Sequence, residues 1–254
     1  MPFEEFEKNI HRIISEAETR GIPLRIMGGA AIRIHCSNHR ELYGLLKRDP
    51  KHDMDFVTYT KHQRDTRKLF IDLGYRPYVS LMLAGSSGRH RQIFNDKDGN
   101  KAIDVFLDKL QMSHVIDFSD RLEEDSPTVP LAELLLQKLQ IAQINEKDIQ
   151  DAIILLTEHG IGKTDREQVN GAYIAKILGN EWGFYYTVSE NFKKLSEFAK
   201  HYPLTDQDRQ TVNGRIDELQ DLIEKQPKTL QWRLRARVGT STKWYNVVEE
   251  VHRD

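Results

Sequence analysis

Three aspartates and a glycine pair are the residues of this sequence whose types and spacing suit chemistry. Asp53 and Asp55 flank Met54 in a strand-like run that continues through Phe56 and Val57, and Asp104 sits in a second run, KAIDVFL, from Lys101 to Leu107. Carboxylates at i and i+2 on a strand point to the same face. If the two strands neighbour each other, all three acids converge. Clustered carboxylates raise one another's pKa values unless a cation compensates them, so the cluster implies metal. Mg²⁺ takes oxygen ligands at about 2.0–2.1 Å, commonly a few carboxylates plus substrate phosphates. Two such ions roughly 3.5–4 Å apart stabilise the attacking and leaving oxygens of an in-line phosphoryl displacement. Gly28 and Gly29 close a short apolar run, Leu24 to Met27, and precede a helical pattern. Glycines let the backbone approach a bulky anion, and a helix N-terminus offers N–H groups and a positive dipole end to phosphate. The expectation is a metal-dependent nucleotide site, with the triphosphate at Gly28 and Gly29 and two Mg²⁺ (or Mn²⁺) ions on Asp53, Asp55 and Asp104.

The whole chain sets bounds on this reading. Its 254 residues suffice for one large domain or two modest ones. Hydrophobic residues make up 39% and charged residues 30%, and the net charge of −2 does not announce nucleic acid, so any such contact must come from a local patch. No apolar run approaches the roughly 20 residues of a membrane helix. The N-terminal MPFEEFEKNIHRII starts acidic and lacks a signal-peptide core, which reads as cytoplasmic. The single cysteine, Cys36, excludes an internal disulfide and fits a reducing compartment.

The elements that must position the acids follow from periodicity. Phe3, Phe6, Ile10, Ile13, Ile14 and Ala17 recur at helical spacing, and Gly21 and Pro23 stop that helix. Leu24 to Met27 reads as a strand, Ala30 to about Lys47 as one helix, Asp53 to Tyr59 as a strand, and Thr60 to Leu73 as a helix closed by Gly74. Tyr78 to Leu83 reads as a strand before the loop from Gly85 to Gly88. Arg91 to Asn95 and Lys101 to Leu107 read as the two arms of a hairpin, and Val115 to Phe118 as one more strand. From Pro130 the pattern turns helical: Leu131 to Ile144, Lys147 to His159, and later Asp206 to Lys225. Gly160-Ile161-Gly162 reads as a boundary. The expected fold is α+β: a mixed β-sheet core flanked by helices (1–128), a helical extension (129–160) and a mainly α-helical C-terminal domain (161–254).

In this order, Gly28-Gly29, helix, Asp53-Met54-Asp55, then Ile103-Asp104-Val105, the chain resembles the nucleotidyltransferase superfamily related to DNA polymerase beta. More narrowly it resembles the abortive-infection toxin branch, the AbiEii-like nucleotidyltransferases. That branch's Gly-Gly-x-Ala turn is matched by Gly28-Gly29-Ala30-Ala31. Its leucine-rich helix with a lysine, followed by Lys-Asp and a further Asp, is matched by Lys138, Lys147, Asp148 and Asp151. The resemblance covers about residues 22 to 160. It implies transfer of a nucleoside monophosphate from an NTP to a hydroxyl on an RNA, a protein or a small molecule, with release of pyrophosphate. By matching position Asp53 and Asp55 would bind metal, Asp104 would bind the second ion and act as base or orienter, and Lys138 or Lys147 would neutralise triphosphate charge. The toxin branch also implies an antitoxin partner. One departure is Ala30, where the family often carries Ser or Thr, which removes one phosphate hydrogen bond. The alternative is a catalytically degenerate protein of the same fold that binds a nucleotide or a partner.

Other residues have plainer readings. Lys147 and Asp151, at i and i+4, suit a surface ion pair. His35, Cys36 and His39 have helical spacing suited to zinc but no fourth ligand nearby, so they read as helix-face residues. His52 beside the acids reads as a surface histidine. The loop GSSGRHR, from Gly85 to Arg91, is either a solvated hairpin loop or a closing element. Near the C-terminus Arg233, Arg235, Arg237 and Lys243 with Trp232, Trp244 and Tyr245 read as a basic helix face over core aromatics, or as an RNA-binding patch.

Overall fold

The apolar stripe Phe6, Ile10, Ile13, Ile14 and Ala17 is buried on α1 (Phe3–Thr19) in the computed structural model. The structure describes residues 3–48, 54–78, 91–96 and 102–247. Gly21 turns the chain at a φ of +67°, which favours glycine, and β1 (Arg25–Met27) follows. Next come α2 (Gly28–His35), α3 (Arg40–Leu45) and β2 (Met54–Thr58). A 3-10 turn (Thr60–His62) leads into α4 (Gln63–Asp72), then β3 (Arg76–Pro77), β4 (Arg91–Asn95) and β5 (Ala102–Leu107). Two short strands, β6 (Lys109–Gln111) and β7 (Val115–Asp117), form a separate pair.

The described strands β1 to β5 form a mixed sheet in the order β1-β2-β5-β4-β3. β2 and β5 run parallel, and the other pairs run antiparallel. One face carries Phe56, Phe94, Ile103 and Val105. On it Phe70 of α4 packs against Phe56 and Phe94, with ring centroids 5.9 and 4.8 Å apart. The outer edge of β1 is occupied: Ile26 N donates to Pro127 O (2.9 Å), and Val129 N donates to Ile26 O (3.1 Å). That satisfies edge groups that would otherwise invite another strand.

The C-terminal half is mainly helical: α5 (Leu131–Leu139), α6 (Glu146–Glu158), α7 (Gly171–Asn180), α8 (Trp182–His201), α9 (Asp206–Lys225) and α10 (Leu230–Val238). A short parallel pair, β8 (Ile161–Gly162) and β9 (Val169–Asn170), lies where the sequence suggested a boundary. The chain groups into two compact units. Unit 1 is Met1–His35, Pro50–Leu110 and Asp117–Pro130; unit 2 is Cys36–Asp49, Gln111–Ile116 and Leu131–Asp254. The fold class is α+β, a mixed sheet with flanking helices followed by a mainly helical region. Among the described residues no helix is long and apolar enough to cross a membrane.

Three elements differ from the sequence reading. The helix expected from Ala30 to Lys47 is two helices. Between them Glu158 accepts hydrogen bonds from Asn38 N, His39 N and Asn38 Nδ2 (3.2, 3.1 and 2.7 Å), so a carboxylate satisfies the turn's N–H groups in place of a continued helix. The helix expected to reach Ile144 ends at Leu139, because Asn191 Nδ2 donates to Leu139 O (2.8 Å) and Ile141 O (2.9 Å) and takes the terminal carbonyls. The sheet edge beside β4 is Arg76–Pro77, a strand the sequence reading did not include; of the expected strand from Tyr78 to Leu83, 79–83 lie outside the described residues. The other expected elements, including the Arg91–Asn95 and Ala102–Leu107 hairpin, are present.

Phe70 links α4 to two strands and is fully buried. Phe70→Ala is expected to cost about 3–5 kcal/mol, read as a lower urea midpoint at unchanged slope.

Candidate active site

β2 and β5 are parallel neighbours, and their register sets Asp55 opposite Asp104. Register partners share a face, so both carboxylates emerge side by side on the sheet face opposite Phe56 and Val105. Strand neighbours lie about 4.8 Å apart. Asp53, two residues before Asp55, lies outside the described residues. Met27 is the partner of Asp55 on β1, which brings Gly28 directly to the acids. Gly28 has a φ of +72°, and a Cβ at this position would come within 3.0 Å of Asp55 Oδ2. The glycine therefore has two physical reasons: a left-handed backbone and a cradle beside a carboxylate. α2 begins at this glycine, so a helix N-terminus also faces this end of β1.

Asp104 is 4% exposed and is held by a residue the sequence reading did not assign to it. Arg91 Nη2 donates to Asp104 Oδ2 at 2.6 Å and Nε donates to Oδ1 at 3.3 Å. Arg91 pairs with Phe106 across the hairpin, which makes Asp104 its diagonal neighbour on the same face. Its guanidinium also lies 5.2 Å from the centre of the Phe106 ring. The hairpin's register contained this signal: an arginine two positions off the partner of an aspartate. Gly85 to His90, the rest of the loop singled out in the sequence, lie outside the described residues.

The oxygen-only donor pair, its register and the cradle at Gly28 fit a hard divalent cation. Among the described residues, Asp55 and Asp104 are the ones that would hold it.

The two lysines expected near the phosphates belong to unit 2. Lys138 is 9% exposed, and its ammonium is engaged by Asp148 (3.0 Å) and Asp151 (2.9 Å). Asp151, fully buried, also accepts from Arg48 Nε (2.7 Å) and Nη2 (2.9 Å). The surface pair expected between Lys147 and Asp151 is therefore replaced: Lys147 is exposed, and Asp151 pairs inward with Arg48 and Lys138. Burial by itself would push the Asp151 carboxyl up, but the Lys138 charge and the Arg48 hydrogen bond outweigh it and hold the group below its usual range. A phosphate at Lys138 would compete with two carboxylates already in contact. His39 binds Glu158 (3.1 Å) and Cys36 is buried, which places both in packing.

The C-terminal basic-aromatic stretch also packs. Trp232 Nε1 donates to Leu178 O (3.0 Å), Trp244 Nε1 donates to Thr187 Oγ1 (3.1 Å), and the Arg235 guanidinium lies 4.7 Å from the Trp182 ring centre. Arg233 and Arg237 of the same helix are exposed.

Two measurements follow from these contacts. Gly28→Ala is expected to cost about 1–3 kcal/mol, because the alanine would carry a positive φ and crowd Asp55; thermal unfolding reads it. Asp151 has a depressed folded-state pKa, so its stabilisation is complete above the unfolded value of about 3.9 and is lost as pH falls through that value toward the folded one. Asp151→Asn is expected to cost about 3–5 kcal/mol at neutral pH and to flatten the loss of stability as pH falls below about 4, measured by denaturant midpoints across a pH series.

No protein-family model matches the chain, and no curated protein matches it. Two solved structures are similar in shape. The antibiotic-resistance factor ANT(2'')-Ia matches over 70% of this chain and 95% of its own, at 14% identity and a TM-score of 0.43. An antigenic nucleotidyltransferase-like protein from Paracoccidioides brasiliensis matches over 89% of this chain and 95% of its own, at 13% identity and a TM-score of 0.37. At these scores neither likeness bears on what the chain does.

Proposed function

We propose that the chain is a Mg²⁺-dependent nucleotidyltransferase that moves a nucleoside monophosphate from an NTP to an acceptor hydroxyl. The observation that carries this reading is the register of Asp55 with Asp104 on adjacent parallel strands, with the Gly28 backbone against Asp55. Asp55 and Asp104 would supply oxygens from two hydrogen-bonded strands, so neither can drift without the other. Asp53, by its spacing, would add a third. When bound, the metal supplies Lewis-acid stabilisation of charge on the phosphoryl oxygens. Gly28 keeps the approach to Asp55 open, and the N-terminal end of α2 favours an anion at Gly28 and Gly29. Asp104 would orient the attacking hydroxyl. The acceptor class is RNA, protein or a small hydroxylated molecule; the toxin reading, with an antitoxin partner, belongs to this proposal through the sequence resemblance.

The test is label transfer. The protein is incubated with each labelled NTP, Mg²⁺ and separate acceptor pools of total RNA, protein extract and small hydroxylated compounds. Transfer to one pool is expected, and Asp55→Asn should lower its rate by about 10²–10³-fold or more. Absence of transfer to every pool, or transfer unaffected by Asp55→Asn, would sink the proposal.

The Arg91 guanidinium on Asp104 favours a second reading, a nucleotide-binding protein without turnover. Calorimetry with a non-hydrolysable NTP separates the two: binding with no transfer from the natural NTP supports the second.

A further inference from the structure

We propose that Arg91 is a placeholder for the divalent cation: its guanidinium neutralises Asp104 in the metal-free protein, leaves when the ion binds, and so sets the affinity of the site for metal. The inference rests on the metal-dependent reading above. It concerns a residue to which that reading gives no role.

The contacts make the competition direct. Arg91 engages both oxygens of Asp104, Nη2 on Oδ2 and Nε on Oδ1. A cation that uses Asp104 needs at least one of those oxygens at about 2.0–2.1 Å. A fixed positive charge at that distance repels a divalent ion on the same group. Asp104 cannot swing away from either: it is 4% exposed, on a strand paired on both sides, by β2 and by β4. The mobile partner is therefore the arginine. Its side chain keeps 23% exposure, and it sits on β4, whose other neighbour is the short strand β3. The Phe106 ring beneath it gives the guanidinium a face to slide along as the bond to Asp104 breaks. A buried carboxylate without a cation is costly, so the pair explains how Asp104 stays at its place in the sheet before metal arrives. Removing the positive charge should then tighten metal binding, which is the opposite of what loss of a merely structural contact would do.

The experiment uses Mn²⁺ alone as the probe, with free Mn²⁺ read by its EPR signal during titration of the full chain. Arg91→Gln is expected to bind Mn²⁺ roughly tenfold more tightly than wild type. Arg91→Lys, which keeps the charge, should stay near the wild-type affinity, and Asp104→Asn should lose most binding. Equal or weaker binding by Arg91→Gln, with binding still lost in Asp104→Asn, overturns the placeholder and leaves the metal reading standing. No Mn²⁺ binding in wild type or in Arg91→Gln overturns both. A second readout needs no folded variant at this position. In wild type, the Arg91 Nε–H resonance should shift and begin exchanging with solvent as Mg²⁺ saturates the site. An Arg91 signal unchanged at saturation overturns the placeholder.

Discussion

The register between β2 and β5 is the constraint on which unit 1 depends. It sets two carboxylates, Asp55 and Asp104, side by side on neighbouring strands. Like charges directly opposite each other weaken a sheet, and the Arg91 guanidinium on Asp104 offsets that repulsion. The sheet keeps this arrangement because its reverse face is well packed. Phe56, Phe94, Ile103 and Val105 are buried there with Phe70. A one-residue slip of β5 would turn Ile103 and Val105 to the acidic face, so the core that stabilises the sheet also fixes Asp104.

Unit 2 solves the same electrostatic problem in a different way. α5 is buried all round, including Glu133, Gln137 and Lys138. A helix in that position must satisfy each polar group from its neighbours. Asp151 lies between Lys138 and the forked guanidinium of Arg48, and Lys138 reaches Asp148 as well. Cations meet the buried carboxylate from both sides, and the cluster closes on itself. At Asp104 the guanidinium comes from a partly exposed side chain. The two carboxylates therefore differ in how exposed their cationic partners are.

The amino-acid sequence determined the elements whose information is local. The period of α1, the alternation in KAIDVFL, the turn at Gly28 and the span Asp206–Lys225 are all readable because each is set by residues a few positions apart. The sequence also brought Asp53, Asp55 and Asp104 forward as one set from their residue types. Only the tertiary structure decided what those residues meet. The parallel register joins strands whose acids are separated in the chain by α4, β3 and β4 among the described residues. Arg91 reaches Asp104 from across a hairpin, and Arg48 reaches Asp151 over 103 positions. The helix breaks after His35 and Leu139 come from Glu158 and Asn191, residues far away in sequence that take over backbone hydrogen bonds. Periodicity reports which face of an element is buried. It cannot report which charged side chain will lie opposite, because that partner is chosen by packing between elements.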